Sequence, residues 1–261
     1  MDPVKDHRTN LEILMKLASL FLLSVAAFAQ LVEEYAPPRA NCCLAGAAQT
    51  LADQLQDWNQ LGRYHADNAR LAAMPGEAGR VVFFGDSITD GWKLAQSFPG
   101  KPYVNRGISG QTTAQMLVRL YPDVIDLKPA AVVILAGTND IARNNGQQTL
   151  QQITDNFQAI TELAQLHGIK VIFSSVLPVS DYTSRPKTKQ RPPEDILKLN
   201  AWLKEYAAKK GAGYLDYFPE TVDAKGWLKD GISADGLHPN PKGYEIMAPL
   251  AEAAIQRALK N

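Results

Sequence analysis

This 261-residue chain has few cysteines, no net charge and few long apolar runs. Each of these features excludes a class of protein. The two cysteines, Cys42 and Cys43, are adjacent, and neighbouring residues cannot meet disulfide geometry without strain, so no disulfide framework staples the fold. Lys and Arg total 27, as do Asp and Glu. The chain therefore lacks the basic excess that is typical of nucleic-acid-binding proteins.

Metal-binding and nucleotide-binding motifs are also missing. The four histidines are scattered, and neither His-Glu-x-x-His nor Cys-x-x-Cys occurs. There is no P-loop, no internal repeat and no Gly-x-Ser-x-Gly elbow of the α/β-hydrolase type. We therefore expect chemistry that needs neither a metal nor a cofactor, in a chain whose length suits one large domain.

One apolar stretch near the N-terminus has the pattern of an export signal. Leu17 to Phe28 follows Lys16, and Ala27-Phe28-Ala29 is a small-x-small cleavage pattern. The stretch is shorter than the roughly 20 residues that cross a bilayer. We predict a signal peptide over residues 1–29, export after cleavage near Ala29, and no stable membrane anchor. A buried helix of a cytosolic protein is the alternative, and Met15 is an alternative start.

Apolar strands alternate with amphipathic helices over the rest of the chain. Val81–Phe84 and Ala131–Ala136 are continuous apolar runs that fit strands buried on both faces. The clearest helix, Thr149–His167, opens with a capping box. This alternation predicts an α/β protein with a parallel sheet covered on both faces. The other predicted strands lie near Tyr103–Asn105, Val171–Phe173 and Tyr214–Leu215, and the other predicted helices cover Ala47–Ala72, Thr112–Leu120, Glu194–Lys210 and a segment from Asn240 onward that Pro249 kinks or restarts.

Polar motifs follow three of these strands, and a fourth precedes the last helix. Open parallel sheets bind ligands at the carboxyl ends of their strands. We therefore expect the four motifs to meet at one edge. They are Gly85-Asp86-Ser87-Ile88, Asn105-Arg106-Gly107-Ile108-Ser109-Gly110, Gly137-Thr138-Asn139-Asp140 and Asp235-Gly236-Leu237-His238-Pro239-Asn240.

Ser87 and His238 are the candidate nucleophile and general base. A serine hydroxyl needs a base within hydrogen-bond reach, and His238 is the only histidine in a turn with a carboxylate, Asp235, three residues before it. That carboxylate can fix the tautomer of the imidazole. Taken singly, Ser87 could be only a helix N-cap, and the other two could be surface residues. Asp86 and Asp90 are expected to hold the turn around Ser87 by accepting backbone N–H groups.

A cluster of cations lies in the segment from Pro178 to Pro193, which leaves the fourth predicted strand at the same edge. Arg185, Lys187, Lys189 and Arg191 alternate there with polar residues and prolines. We interpret the segment as a solvated basic loop. The alternative is a loop that overhangs the site and selects the substrate.

The four motifs, in this order, resemble those of the SGNH hydrolases, also called GDSL-type lipases and esterases, from about Val81 to the C-terminus. The resemblance implies a three-layer α/β/α fold with a parallel, flavodoxin-like sheet. Residues 79–261 would form the hydrolase domain, after an N-terminal extension at 30–78 with an outer helix.

The resemblance also implies roles for individual residues. Ser87, His238 and Asp235 would form a catalytic triad. The backbone N–H groups of Ser87 and Gly107 and the side-chain amide of Asn139 would form the oxyanion hole, which binds the negative oxygen of the reacting carbonyl. Gly107 could instead be an ordinary turn glycine, and Asn139 could be a helix cap.

Gly243-Tyr244 and Met247-Ala248-Pro249, which follow the histidine motif, look most like the platelet-activating-factor acetylhydrolase-like branch of this family. The resemblance predicts an exported, cofactor-free serine esterase. Its partner would be a small substrate. The expected substrates are short acyl esters, above all acetyl esters, of carbohydrates or other small alcohols. The alternatives are a lysophospholipase or thioesterase for longer acyl chains, an acyltransferase, and a non-catalytic carbohydrate-binding protein. The oligomeric state stays open.

Overall fold

Five parallel strands form one sheet in the computed structural model, which describes residues 55–74 and 79–260. The order β2-β1-β3-β4-β5 is the flavodoxin-like order, as predicted. The predicted signal peptide, Cys42 and Cys43 lie outside the described residues. The strands are β1 Val81–Gly85, β2 Tyr103–Gly107, β3 Ala131–Leu135, β4 Lys170–Ser174 and β5 Gly213–Leu215.

Helices connect the strands and cover both faces of the sheet. Among the described residues, no helix combines the length and apolarity needed to cross a membrane. The helices are α1 His65–Ala73, α2 Ser87–Asp90, α3 Leu94–Ser97, α4 Thr113–Val118, α5 Leu120–Asp123, α6 Thr138–Ile141, α7 Leu150–Leu166, α8 Pro193–Lys210, α9 Phe218–Thr221 and α10 Pro241–Lys260, with a 3-10 turn at Ile125–Leu127.

The core has two halves because alternate residues of each strand point to opposite faces of the sheet. Val82 and Phe84 of β1 belong to the apolar cluster that includes Phe157 of α7. Phe83, between them, belongs to the cluster that includes Met247 of α10. The strands consist of unbroken apolar runs because both of their faces are buried. The predicted three-layer α/β/α architecture is confirmed.

The segment before β1 departs from the helix that we predicted over Ala47–Ala72. Within its described part, residues 55–56 are helical, turns follow between residues 57 and 64, and α1, His65–Ala73, comes next. The carboxylate of Asp57 accepts the N–H groups of Leu61 and Gly62 at 2.8 and 3.0 Å. Such local bonds compete with helix formation. Leu61, an apolar side chain of the predicted helix, is 41% exposed, so this part of the segment does not pack into the core.

The last helix begins as predicted. Asn240 Oδ1 accepts the N–H of Gly243 at 3.2 Å, and Pro241 is the first helical residue. α10 then runs through Pro249 to Lys260, so Pro249 does not restart the helix, which was one of the two effects that we predicted for it. Pro249 is exposed. Water can therefore solvate the carbonyl that the missing proline N–H leaves free.

A buried polar network ties α1 to the ends of β1 and β2. Arg119 has no exposed surface, and its guanidinium donates to the carbonyls of Gly85 and Arg106 at 2.9 and 2.8 Å. It also pairs with the carboxylate of Asp123 at 2.8 Å, and that carboxylate accepts from Asn68 of α1 at 2.6 Å. The network therefore holds the N-terminal segment and two strand ends in one arrangement.

We expect Arg119→Met to lower the free energy of unfolding by about 3–5 kcal/mol, because it leaves the Asp123 carboxylate buried without its cation. Arg70→Met is the matched control. The side chains of its ion pair with Asp67 are 61% and 40% exposed, so we expect a loss below about 1 kcal/mol. Urea denaturation of both variants measures the difference. Equal losses would contradict a structural role for the buried guanidinium.

Candidate active site

The four polar motifs meet at the carboxyl edge of the sheet. Ser87 begins α2 directly after β1, and Asn139 lies in α6 after the neighbouring strand β3. Asp235 and His238 come from the loop that precedes α10. The chain thus brings residues that are far apart in sequence to the same place.

Ser87, His238 and Asp235 form a continuous hydrogen-bonded row. His238 Nε2 lies 2.9 Å from Ser87 Oγ, and His238 Nδ1 lies 2.7 Å from Asp235 Oδ2. The side chains of His238 and Asp235 are 43% and 42% exposed, so the row is open to a molecule that approaches from solvent. The three predicted residues are therefore brought together in hydrogen-bonding order.

A glycine shapes the turn that carries the histidine. Gly236 has φ +78°, and a Cβ added there would lie 2.5 Å from the carbonyl oxygen of Ser180. The Gly236 carbonyl accepts the N–H of Ser180 at 2.9 Å, which joins this turn to the chain after β4. Any side chain at position 236 would displace the carbonyl of Ser180, and this shift would also move His238.

The carboxyl of Asp235 is held in its ionised form. Partial burial raises its pKa, but the backbone N–H and imidazole of His238 and the N–H of Leu237 outweigh that effect. Together they hold the pKa of Asp235 well below its usual range. Oδ1 accepts the two backbone N–H groups at 3.0 and 2.8 Å, which leaves Oδ2 for the imidazole.

Residues 83–246 match the model of the GDSL-like lipase/acylhydrolase family. The chain belongs to this family. A candidate acylhydrolase of known structure from Bacteroides fragilis NCTC 9343 is 40% identical to it, with a TM-score of 0.73. That match covers 78% of this chain and 99% of the Bacteroides protein.

The chain is also similar to two curated proteins. Esterase TesA of Pseudomonas aeruginosa is 27% identical over 183 residues, which cover 65% of this chain and 84% of TesA. The uncharacterized lipoprotein YqeF of Bacillus subtilis (strain 168) is 32% identical over 118 residues, or 38% of this chain. The match spans about half of that lipoprotein, 49% of its length. As a member of the GDSL-like family, this chain is a carboxylic ester hydrolase.

Gly107 does not fit the oxyanion role that the sequence suggested. Its N–H already donates to Asn105 Oδ1 at 2.8 Å. A Cβ on Gly107 would lie 2.1 Å from the backbone nitrogen of Asp90. Glycine is needed here so that the end of β2 can pack against α2. The geometry thus contradicts the assignment of Gly107 as a donor to the substrate.

Gly110, which ends the same motif, is a better candidate for the donor, and the sequence did not single it out. Of the backbone N–H groups at residues 107–112, only that of Gly110 has no acceptor within the described part of the chain. The neighbouring carbonyl of Gln111 accepts from Asn139 Nδ2 at 3.0 Å, so this loop lies beside Asn139. The motif contains two glycines, and the sequence alone does not show which of them leaves its N–H without an acceptor.

Asn139 is buried with both ends of its amide in contact with protein. Nδ2 donates to the Gln111 carbonyl, and Oδ1 accepts from the guanidinium of Arg191 at 3.4 Å. Gly137 occupies the N-cap of α6, so Asn139 is not the helix cap considered above. Nδ2 carries a second hydrogen that these contacts leave available.

Two carboxyl groups are fully buried beneath the site. Asp86 Oδ1 accepts the N–H of Ile88 at 3.0 Å, as predicted, whereas Asp86 Oδ2 is buried without a hydrogen-bond partner among the described residues. Burial raises the pKa of Asp86 to about 7 and that of Asp140 to about 6. The carboxylate of Asp90 also accepts a backbone N–H, but this N–H belongs to Ser109 in the loop after β2 and not to the turn around Ser87. In residues 55–74 and 79–260, no three His, Cys, Asp or Glu side chains group as metal ligands would.

The buried carboxyl of Asp86 should make stability depend on pH. Its pKa is raised above the unfolded value of about 3.9. The folded protein therefore keeps a proton that the unfolded chain releases between about pH 4 and pH 7. The stability that the folded protein gains by keeping this proton is complete below about pH 4 and is lost as pH rises through about 7.

We therefore expect the free energy of unfolding of the wild type, relative to Asp86→Asn, to fall as pH rises from about 4 to about 7. Urea denaturation at a series of pH values measures the difference. Asp126→Asn, at an exposed aspartate, is the control and should follow the wild-type curve. A constant offset between wild type and Asp86→Asn would show that the buried carboxyl does not titrate in this range.

Proposed function

We propose that this esterase uses Ser87 as its nucleophile, His238 as its general base and acid, and Asp235 to orient the imidazole. The observation that carries the proposal is the unbroken row from Asp235 Oδ2 through the imidazole to Ser87 Oγ, with contacts of 2.7 and 2.9 Å. Such a row is the arrangement that activates a serine hydroxyl at neutral pH.

The chemistry follows from this geometry. His238 Nε2 takes the Ser87 proton as Oγ attacks the ester carbonyl, and the tetrahedral intermediate then expels the alcohol, which takes that proton. The same nitrogen next removes a proton from water, which attacks the acyl-serine. The acid is released as the bond to Ser87 Oγ breaks, and Oγ takes the proton back from the imidazolium. The ionised carboxylate of Asp235 stabilises the imidazolium that forms in each half of the reaction.

The oxyanion hole in this proposal consists of the N–H groups of Ser87 and Gly110 and the side-chain amide of Asn139. Gly110 replaces Gly107 because its N–H is the one left free in the loop after β2. Loss of one such donor typically lowers kcat by about 10²–10³.

The proposed substrates are short acyl esters, above all acetyl esters, of carbohydrates or other small alcohols. A cavity of about 560 Å³ lies between the α2–α3 region and the start of α10, and Pro239, which follows His238, lines it. The stacked rings of Trp92 and Tyr244, 5.1 Å apart, share its lining with Lys93 and Glu245. Aromatic side chains with a few charged groups beside them are typical of a small-molecule site, and the proposal places the alcohol part of the ester there.

We also propose that the protein is exported. The apolar stretch from Leu17 to Phe28 and the Ala27-Phe28-Ala29 pattern support a signal peptide that is removed near Ala29. The name of the Bacillus relative, a lipoprotein, is consistent with export.

Ser87→Ala should fold normally and lose nearly all esterase activity, because the hydroxyl takes part in the chemistry and not in the core. Hydrolysis of 4-nitrophenyl acetate and a circular dichroism spectrum measure the two properties. Ser184→Ala, at an exposed serine, is the matched control and should keep full activity. Retention of more than a few per cent of activity by purified Ser87→Ala would exclude Ser87 as the nucleophile.

A series of 4-nitrophenyl esters tests the proposed acyl length. We expect kcat/KM to be highest for acetate and to fall steadily towards octanoate and palmitate, as the proposed preference for short acyl groups requires. Release of acetate from acetylated sugars should accompany this preference. Highest kcat/KM on the long esters would favour the lysophospholipase or thioesterase alternative.

A further inference from the structure

Arg191 is buried, although it belongs to the loop that we interpreted as solvated. It is 6% exposed, whereas Arg185 in the same loop lies on the surface. The carboxylate of Asp181 accepts the N–H groups of Lys187 and Thr188 at 2.6 and 2.9 Å, which closes the loop on itself. The N–H of Arg191 then donates to the Lys187 carbonyl at 2.9 Å. The solvated-loop interpretation is therefore wrong for Arg191.

The guanidinium of Arg191 contacts two residues of α6. Nε donates to Thr138 Oγ1 at 3.1 Å, and Nη2 donates to Asn139 Oδ1 at 3.4 Å. The carboxyl groups of Asp86 and Asp235 are the acidic groups whose charges act on it. Because a guanidinium stays protonated in a protein, a positive charge lies directly behind the Asn139 amide.

The two contacts of Asn139 allow only one orientation of its amide. With the amide reversed, its NH₂ group would face the donors of Arg191, and its oxygen would face the carbonyl oxygen of Gln111. Both contacts would then be repulsive. In the observed orientation the carbonyl end of the amide accepts from a cation, which draws electron density away from Nδ2 and strengthens its remaining N–H as a donor.

We propose that Arg191 is a positioning residue for ester hydrolysis, which orients and polarises the Asn139 amide towards the oxyanion. The inference rests on the proposed function, because it gives Asn139 a role in the transition state. Arg191 acts through Asn139 and does not itself contact the reacting atoms. Its effect should therefore appear in kcat and leave substrate binding unchanged.

Arg191→Met should lower kcat on 4-nitrophenyl acetate by about 10- to 100-fold, the usual range for a residue that supports a direct participant. KM should stay within about twofold. Arg191→Lys keeps the charge but not the two-point contact, so its kcat should lie between those of the wild type and Arg191→Met. Arg185→Met, at the exposed arginine of the loop, should match the wild type. A loss that appears in KM alone would overturn the proposal.

Combination with Asn139→Ala shows whether Arg191 acts through Asn139. Asn139→Ala alone should lower kcat by about 10²–10³, and the double variant with Arg191→Met should be no slower than Asn139→Ala. If the two losses multiply, Arg191 acts elsewhere and the proposal fails. If Asn139→Ala has wild-type kcat, the proposed oxyanion hole fails as well. If circular dichroism shows that Arg191→Met is unfolded, Arg191→Lys takes its place. The kcat of its double variant with Asn139→Ala is then compared with that of Asn139→Ala alone.

Discussion

The buried guanidinium of Arg119 joins the parts of the molecule on which the site depends. It binds the carbonyls at the ends of β1 and β2, and its Nε donates to Gln111 Oε1 at 2.5 Å in the loop after β2. The Gln111 carbonyl in turn accepts from Asn139. One fixed cation thus sets the distance between the strand that ends before Ser87 and the loop beside Asn139. A planar group with five donors suits this task better than a flexible ammonium.

The N-terminal segment contributes to the same arrangement, although it precedes the residues that match the family model. Gln111 Nε2 donates to the Asn59 carbonyl at 2.9 Å, and the hydroxyl of Tyr64 donates to the Gly107 carbonyl. Leu71 of α1 packs in the apolar core, and these polar contacts join the same segment to the end of β2 and the loop after it. The segment that we predicted as an outer helix is therefore also a support for the site.

Burial of ionisable side chains is the common feature of the groups beneath the site. Asp86 and Asp140 are fully buried carboxyl groups, and the buried guanidinium of Arg191 contacts the amide of Asn139. Removing a carboxylate from water opposes its ionisation, and burial accordingly raises the pKa of Asp86 to about 7 and that of Asp140 to about 6. Polar groups that the fold holds in place need not reorient when charge develops on a substrate.

Much of the fold could be predicted from the sequence, because strands buried on both faces must be apolar and helices carry visible caps. Local motifs also identified Ser87, Asp235 and His238, since a carboxylate three residues before a histidine can meet it within one turn. The sequence could not separate Gly107 from Gly110, nor place Arg191 inside and Arg185 outside. Those choices depend on which N–H groups and side chains meet partners from distant parts of the chain, and only the tertiary structure decided them.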